Sequence, residues 1–304
     1  MKKNLISFAC TGFLLIGILS GCGSQKATAP VNTLTFGIGD FQSLRLDYDA
    51  DDIHVLESDN NKVILKEYMN ENKKRYYART STQNGELLIT EGARPRHSSF
   101  DSYIEIYIPQ DYTNSLSLHS TSGTIESEIA LNLSGDFSVD TTSGVIDVSN
   151  TKVSNIKITS TNGNLSFKNI DADTVEIRTT NAATSFNQAS GVISYQSTGG
   201  KLTASGINGS GSFNASGEGS IDISFTGVTG DISAYSKNGS LAVELPSRLA
   251  FKFSAATKEG SIDTSFSNQL AVTDNTAAGT VGVSPEILIE LETRNGDIKV
   301  SKVN

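Results

Sequence analysis

Few residues in this 304-residue chain are equipped for chemistry, and their spacing decides what they could do. His54, His97 and His119 show no HExxH or other paired spacing and no cysteine accompanies them, so no zinc site is expected. Ser and Thr are abundant, at 41 and 29 residues. No GxSxG elbow presents a nucleophile, however, and Gly209-Ser210-Gly211-Ser212-Phe213 is not one. The glycine-rich run 199–219 lacks the GxxxxGK[ST] phosphate loop. Gly-Asp at 135–136, 230–231 and 296–297 lacks the GGxGxD density of calcium-binding rolls. Carboxylates remain. Glu126 and Asp147 stand one repeat apart and Asp222 and Asp263 two apart, whereas paired acid/base carboxylates need about 5–9.5 Å. Polar positions on the outer side of strands explain all four more simply. The residues read as those of a non-enzymatic protein with no cofactor.

One segment differs from its surroundings. Lys73, Lys74, Arg75 and Arg79 interleave with Tyr76 and Tyr77, and Arg94 and Arg96 follow. Five of the nine tyrosines (Tyr68, Tyr76, Tyr77, Tyr103, Tyr107) fall between 68 and 107. In a chain of net charge −9 this is a candidate anion-binding patch, for teichoic-type or other envelope polymers. The plainer reading is a solvated hairpin whose bases pair with Glu67, Glu71 and Glu91. The overall acidity argues against nucleic acid, which needs a basic face.

Residues 1–21 carry the parts of an export signal: Lys2 and Lys3, an apolar run from Leu5 to Leu19, then Ser20 and Gly21. The run is short for a spanning helix of ~20 apolar residues. Leu19-Ser20-Gly21-Cys22 resembles the lipobox of bacterial lipoproteins, which implies cleavage before Cys22 and a lipid, palmitate among its acyl chains, on its sulfur. The expectation is a lipoprotein held at the extracytoplasmic face of the cell membrane. Loss of Cys10 with the signal and acylation of Cys22 would leave no free thiol, and loss of Lys2 and Lys3 gives a net charge of −11. Residues 22–39 are expected to form the lipidated terminus and a tether.

What would position any site is a repeat. Gly123, Gly144, Gly163, Ala182, Gly200, Gly219, Gly239 and Gly260 recur at intervals of 18–21 residues. Most are followed by an alternating apolar pair such as Ile146/Val148, Leu165/Phe167 or Ile221/Ile223; Gly123 and Gly260 precede the single apolar Ile125 and Ile262, and the damaged copy at Ala182 precedes Thr184 and Phe186. A second alternating pair comes ten residues or so later, as Ile156/Ile158 or Val175/Ile177, with a corner residue such as Ile170 or Ile207 between. Period-2 alternation puts these on one face of a strand. A unit of this size cannot bury that face alone, so copies must stack. The fold is therefore an all-β parallel β-helix, or β-solenoid, of ~20-residue coils, with the marker glycine expected to supply a positive φ. Regular coils are expected over 120–304, with an insertion at 265–287 where Gly260 and Gly296 lie farther apart. Residues 40–119 read as wider initial coils and a cap, so that 40–304 forms one continuous domain.

Ile104-Glu-Ile-Tyr-Ile-Pro109, then Leu116-Ser-Leu-His-Ser-Thr-Ser-Gly123, then repeated Ser/Thr-x-Gly-x-Ile-x-Val, resemble the bacterial "putative adhesin" domain of unknown function, as does the terminal Glu292–Val300. The resemblance covers about residues 40–302 and implies an exported or membrane-tethered β-solenoid. It names no ligand. Two function classes follow: a non-enzymatic surface module that binds an anionic envelope polymer or an envelope or signalling protein, and, as the alternative, a polysaccharide-active solenoid enzyme.

Overall fold

Burial along Ile146–Ser160 shows how one repeat folds. Ile146, Val148, Val153, Ile156 and Ile158 point inward and Asp147, Lys152 and Lys157 outward, and the phase is reset at the corner by Asn150, whose φ is +54°. The computed structural model describes residues 27–95 and 99–303. The export signal, Cys22, Arg96 and His97 lie outside the described residues. No helix among those described is long and apolar enough to cross a membrane.

The strands of the first part are β1 (Asn32–Gly37), β2 (Ser43–Tyr48), β3 (Asp52–Glu57), β4 (Lys62–Met69), β5 (Arg79–Gln83), β6 (Glu86–Thr90) and β7 (Ser102–Ile108). Then come β8 (Ser115–Ser120), β9 (Ile125–Ser127), β10 (Leu131–Thr141), β11 (Ile146–Ser160), β12 (Asn164–Thr179), β13 (Ala183–Ser197), β14 (Leu202–Ala215) and β15 (Ile221–Ser236). The last are β16 (Leu241–Pro246), β17 (Phe251–Thr257), β18 (Ile262–Thr264), β19 (Leu270–Val272), β20 (Thr276–Val281), β21 (Ile287–Thr293) and β22 (Ile298–Val303). From β11 to β15 one continuous strand wraps each coil.

Parallel, in-register pairing makes the stack. One wall runs β6, β2, β8, β10, β11, β12, β13, β14, β15, β21, β17. The other runs β7, β3, β9, β11, β12, β13, β14, β15, β16, β22, β18. In the middle coils a short third side pairs Thr151 to Val153 with Ile170 to Ala172. Inward residues of all sides form one core, with Phe167 stacked on Phe186 (centroids 5.0 Å apart) and Phe213 and Phe225 packed edge to face.

Chain order and stack order differ at both ends. The coil β2–β3 lies between β6–β7 and β8–β9, although β6–β7 comes later than β2–β3 in sequence. At the other end β21–β22 lies between β15–β16 and β17–β18. The long interval between Gly260 and Gly296 is therefore a fold-back. The chain leaves one slot open, builds the outer coil β17–β18, covers it with the hairpin β19–β20, and returns to fill the slot. Residues expected to be an insertion are largely this cover, with β20 antiparallel to β17. The N-terminal end is closed likewise by antiparallel strands: β5 on β6 through the Asn84-Gly85 turn, and β4 on β7 with β1 outermost. Antiparallel covers end the parallel ladder, which would otherwise offer rows of unpaired backbone groups to another chain.

Two local expectations need correction. The tether was expected to run to residue 39, but Asn32–Gly37 is a strand on β4, because Leu34 and Phe36 pack against the core. The marker glycines were expected to need positive φ, yet only Gly163 has it, at +107°. They are glycines because the coils touch there. A Cβ on Gly144, Gly219, Gly239 or Gly296 would lie 2.1–2.2 Å from the carbonyl oxygen of the equivalent marker one coil away. A buried hydroxyl three residues earlier clasps several of these turns: Ser120, Thr141, Thr257 and Thr293 accept from the N–H of Gly123, Gly144, Gly260 and Gly296 at 2.9–3.1 Å. At Ala182 the same clasp comes from Thr179, 3.0 Å away.

Candidate functional site

β4 alternates Val63, Leu65, Glu67, Met69 into the interior, so one carboxylate arrives in a core position. A buried carboxylate needs a cation and donors, and the fold supplies them. Arg94 Nη2 donates to Glu67 Oε1 at 2.9 Å and to Asp51 Oδ2 at 2.7 Å, and its Nε reaches Asp51 Oδ2 at 3.1 Å. Arg94 also donates to the Tyr76 carbonyl, and Ser102 donates to Asp51. Glu67 Oε2 accepts from Asn32 Nδ2 at 2.8 Å and from the Ala78 N–H at 2.7 Å. Burial alone would lower the affinity of Arg94 for its proton; Asp51 and Glu67 reverse this and hold it above the ordinary value. Beside the network lies a cavity of about 520 Å³ lined by Asp49, Asp51, Glu91, Arg94, Phe100 and Asp101 among others. Burial there raises the Glu91 carboxyl above its ordinary range, against the opposing hydrogen bond from the Asp49 N–H.

This network disperses part of the expected anion patch. Arg94 faces inward, with only 11% of its side chain exposed, and is spent on Asp51 and Glu67. Tyr76 is buried with its ring edge on Phe100, and Lys73 and Arg75 lie over that ring at 5.4 and 4.9 Å. Its hydroxyl accepts from Arg75 Nη2 at 2.8 Å. Lys73 pairs with Glu71 at 2.6 Å, and the Tyr77 hydroxyl donates to Asn72. Lys73, Lys74, Arg75 and Arg79 remain exposed on the loop 70–78 and the start of β5. Sequence reasoning named Glu67 among the acids that answer the segment's bases, but missed Asp51 as the second partner of Arg94 and Ser102 as a donor to Asp51. Its available signal was Glu67 itself, a charge in the inward phase of an apolar alternation.

Next to the loop is a tyrosine face. Tyr68 and Tyr103 stack with centroids 4.5 Å apart and planes within 2° of parallel, and His54 meets Tyr103 edge-on. Tyr68 and Tyr107 both donate to Glu105 Oε2 at 2.7 Å, and Lys66 sits 4.1 Å from the Tyr107 ring centre. Burial and the bond to Glu105 push the Tyr68 phenol up.

The carboxylates considered for catalysis do not converge. Glu126 and Asp147 are neighbours in register, but Glu126 Oε2 is engaged by His54 Nδ1 at 3.1 Å. Asp222 and Asp263 are three rungs apart, with Ala242 and Lys299 between, because β22 is threaded between β16 and β18. His119 lies between Asp140 (3.0 Å) and Asp47 (3.9 Å) on the opposite wall. Among the described residues no three His, Cys, Asp or Glu side chains are grouped to hold a metal ion.

Wall, corner, clasp and threaded ends define a parallel β-solenoid whose coils carry no cofactor-specific motif. The profile of the Toastrack DUF4097 family matches residues 41–301, and the chain belongs to that family. No curated protein matches it. Solved structures similar to it include a "putative adhesin" from Bacteroides fragilis, 15% identical over 88% of this chain and 96% of that one, with a TM-score of 0.46. Another "putative adhesin", from Parabacteroides merdae, is 13% identical over 90% and 96%, with a TM-score of 0.45. A "putative lipid binding protein" from Parabacteroides distasonis is 17% identical over 91% and 98%, with a TM-score of 0.48.

Proposed function

We propose that this chain is a non-enzymatic, extracytoplasmic binding module held at the membrane by lipid on Cys22, and that its partner is an envelope polymer or an envelope signalling protein. The observation that carries the non-enzymatic reading is how outward polar groups are used. They bond along the stack to their counterparts in the next coil. Asn169 donates to Asn150 at 2.9 Å, Asn155 to Asp136 at 2.9 Å, Thr174 to Asn155 at 2.6 Å, and Ser190 to Asp171 at 2.8 Å. Lys152 also reaches Asp171 at 2.9 Å. Groups paired in this way stiffen a wall and are not left to converge on a bound substrate. The anchor rests on Leu19-Ser20-Gly21-Cys22.

Fractionation of cells carrying wild type and Cys22→Ala tests the anchor, and release of the variant from the membrane is expected. Equal retention would refute it. Incubation of the protein with acidic and neutral glycans, with Glu126→Gln and Asp147→Asn as controls, tests the other half. Cleavage that those variants abolish would make this chain an enzyme.

A further inference from the structure

We infer that the N-terminal end of the solenoid faces the bilayer and that the basic loop 70–78, with Arg79, docks on anionic lipid headgroups; the inference rests on acylation of Cys22. The described chain begins beside that loop. The Tyr103 hydroxyl donates to the Ala27 carbonyl at 3.2 Å. Glu67 Oε2 binds both Asn32, on the strand leading back toward Ala27, and Ala78, at the end of the loop. One oxygen therefore ties the chain's approach to the anchor to the base of the loop. Four residues separate Ala27 from Cys22, and the five steps between them span at most ~17 Å fully extended. A lipid on Cys22 holds this end of the stack, and no other, close to the headgroups.

Charge then selects the orientation. The mature chain carries −11, so an anionic bilayer repels the solenoid as a whole. Screening limits each interaction to ~8–10 Å, so the surface responds to the charges nearest it. On the loop and the start of β5 those are the exposed Lys73, Lys74, Arg75 and Arg79, with Glu71 answering Lys73 and Asp101 bonded through its backbone to Asn70 at the loop's base, a surplus of two positive charges. Tyr77 and Tyr103, half-buried with polar tips, suit the water–lipid boundary. Attraction at the anchored end and repulsion elsewhere set the stack upright, its far cap about 50 Å away at ~4.8 Å per coil.

The test uses full-length protein purified from membranes and placed in phosphatidylcholine bilayers with and without phosphatidylglycerol. Mass measurement first reads the acyl group on Cys22. Asn72→Cys, beside the basic loop, and Asn268→Cys, in the far cap, each receive a fluorophore, with headgroup-attached quenchers in the lipid. Quenching at position 72 is expected only with phosphatidylglycerol, with none at 268. It should fall at least about tenfold when Lys73, Lys74, Arg75 and Arg79 become Ser. Raising salt on the chain that keeps these four bases should also reduce it, which holds whether or not that variant folds. Equal quenching at both positions, quenching indifferent to lipid charge and salt, or a loop that prefers a soluble anionic polymer in competition would overturn the docking and leave the anchor standing. Absence of the acyl mass would remove the anchor, and the docking with it.

Discussion

Ile232 pairs in register with Ile289, although 57 residues separate equivalent positions of their coils, and Phe253, on the next copy in sequence, lies one rung beyond. The last coil is thus held on both sides. Asn295 donates to Asn238 at 2.7 Å, and the Leu288 N–H donates to Asp231 at 2.8 Å, so polar groups also fix the slot.

A threaded coil should be worth more to the fold than a terminal one. Ile298 is buried between β16 and β18, whereas Ile262, on the outermost coil, is only partly buried. Ile298→Ala is expected to cost about 2–5 kcal/mol, and Ile262→Ala distinctly less. Guanidinium unfolding of the two variants measures the difference. Equal losses would mean that threading adds nothing.

Close approach at the markers predicts a steric effect. Gly239→Ala drives a methyl to 2.2 Å from the Gly219 carbonyl oxygen and should cost about 1–3 kcal/mol or more. Gly39→Ala meets nothing within 4 Å and should stay within about 0.5 kcal/mol of wild type. Thermal unfolding of both decides whether contact, and not glycine's freedom, explains the markers.

The buried network predicts asymmetry. Arg94→Met leaves Asp51 and Glu67 without their cation and should destabilise by about 3–5 kcal/mol. Tyr48 lies nearby, fully buried, and its hydroxyl has no hydrogen-bond partner among the described residues. Tyr48→Phe removes that unmet group, so it should be neutral or slightly stabilising. Denaturant midpoints for the pair check both signs.

Alkali should unfold the protein through its tyrosines. Burial raises the phenols of Tyr48, Tyr112 and Tyr195 above their ordinary 10.0. Above pH 10 the unfolded chain releases these protons while the folded chain keeps them, so it binds fewer protons and stability falls as pH rises. Below pH 10 the contribution is fully present. Phenolate absorbance and circular dichroism should change together. On the acid side, Lys152 and Ser190 hold Asp171 below its ordinary 3.8. That contribution is present above 3.8 and fades as pH falls through the lowered value. Asp171 is exposed, so the acid limb should be shallow and sensitive to salt.

The repeat, the inward residues and the solenoid class were legible in sequence, because a period near twenty with alternating apolar pairs admits few other ways to bury those faces. Glu67 was legible too, as a charge in an inward phase. Which of the segment's bases answered it was not. Arg94 lies 27 residues further on, with the loop 70–78 and β5–β6 between them, so spacing does not single it out. The order of coils was equally hidden. Each copy offers its neighbours similar inward side chains and the same backbone ladder, so local sequence accepts several stacking orders. The choice fell to the ends: exposed rungs must be covered, and the hairpins that cover them turn the chain back into the slot it left open. Tertiary structure alone placed Gly296 between Gly239 and Gly260, put Lys299 between Asp222 and Asp263, and tied β1 through Glu67 to the end of the basic loop.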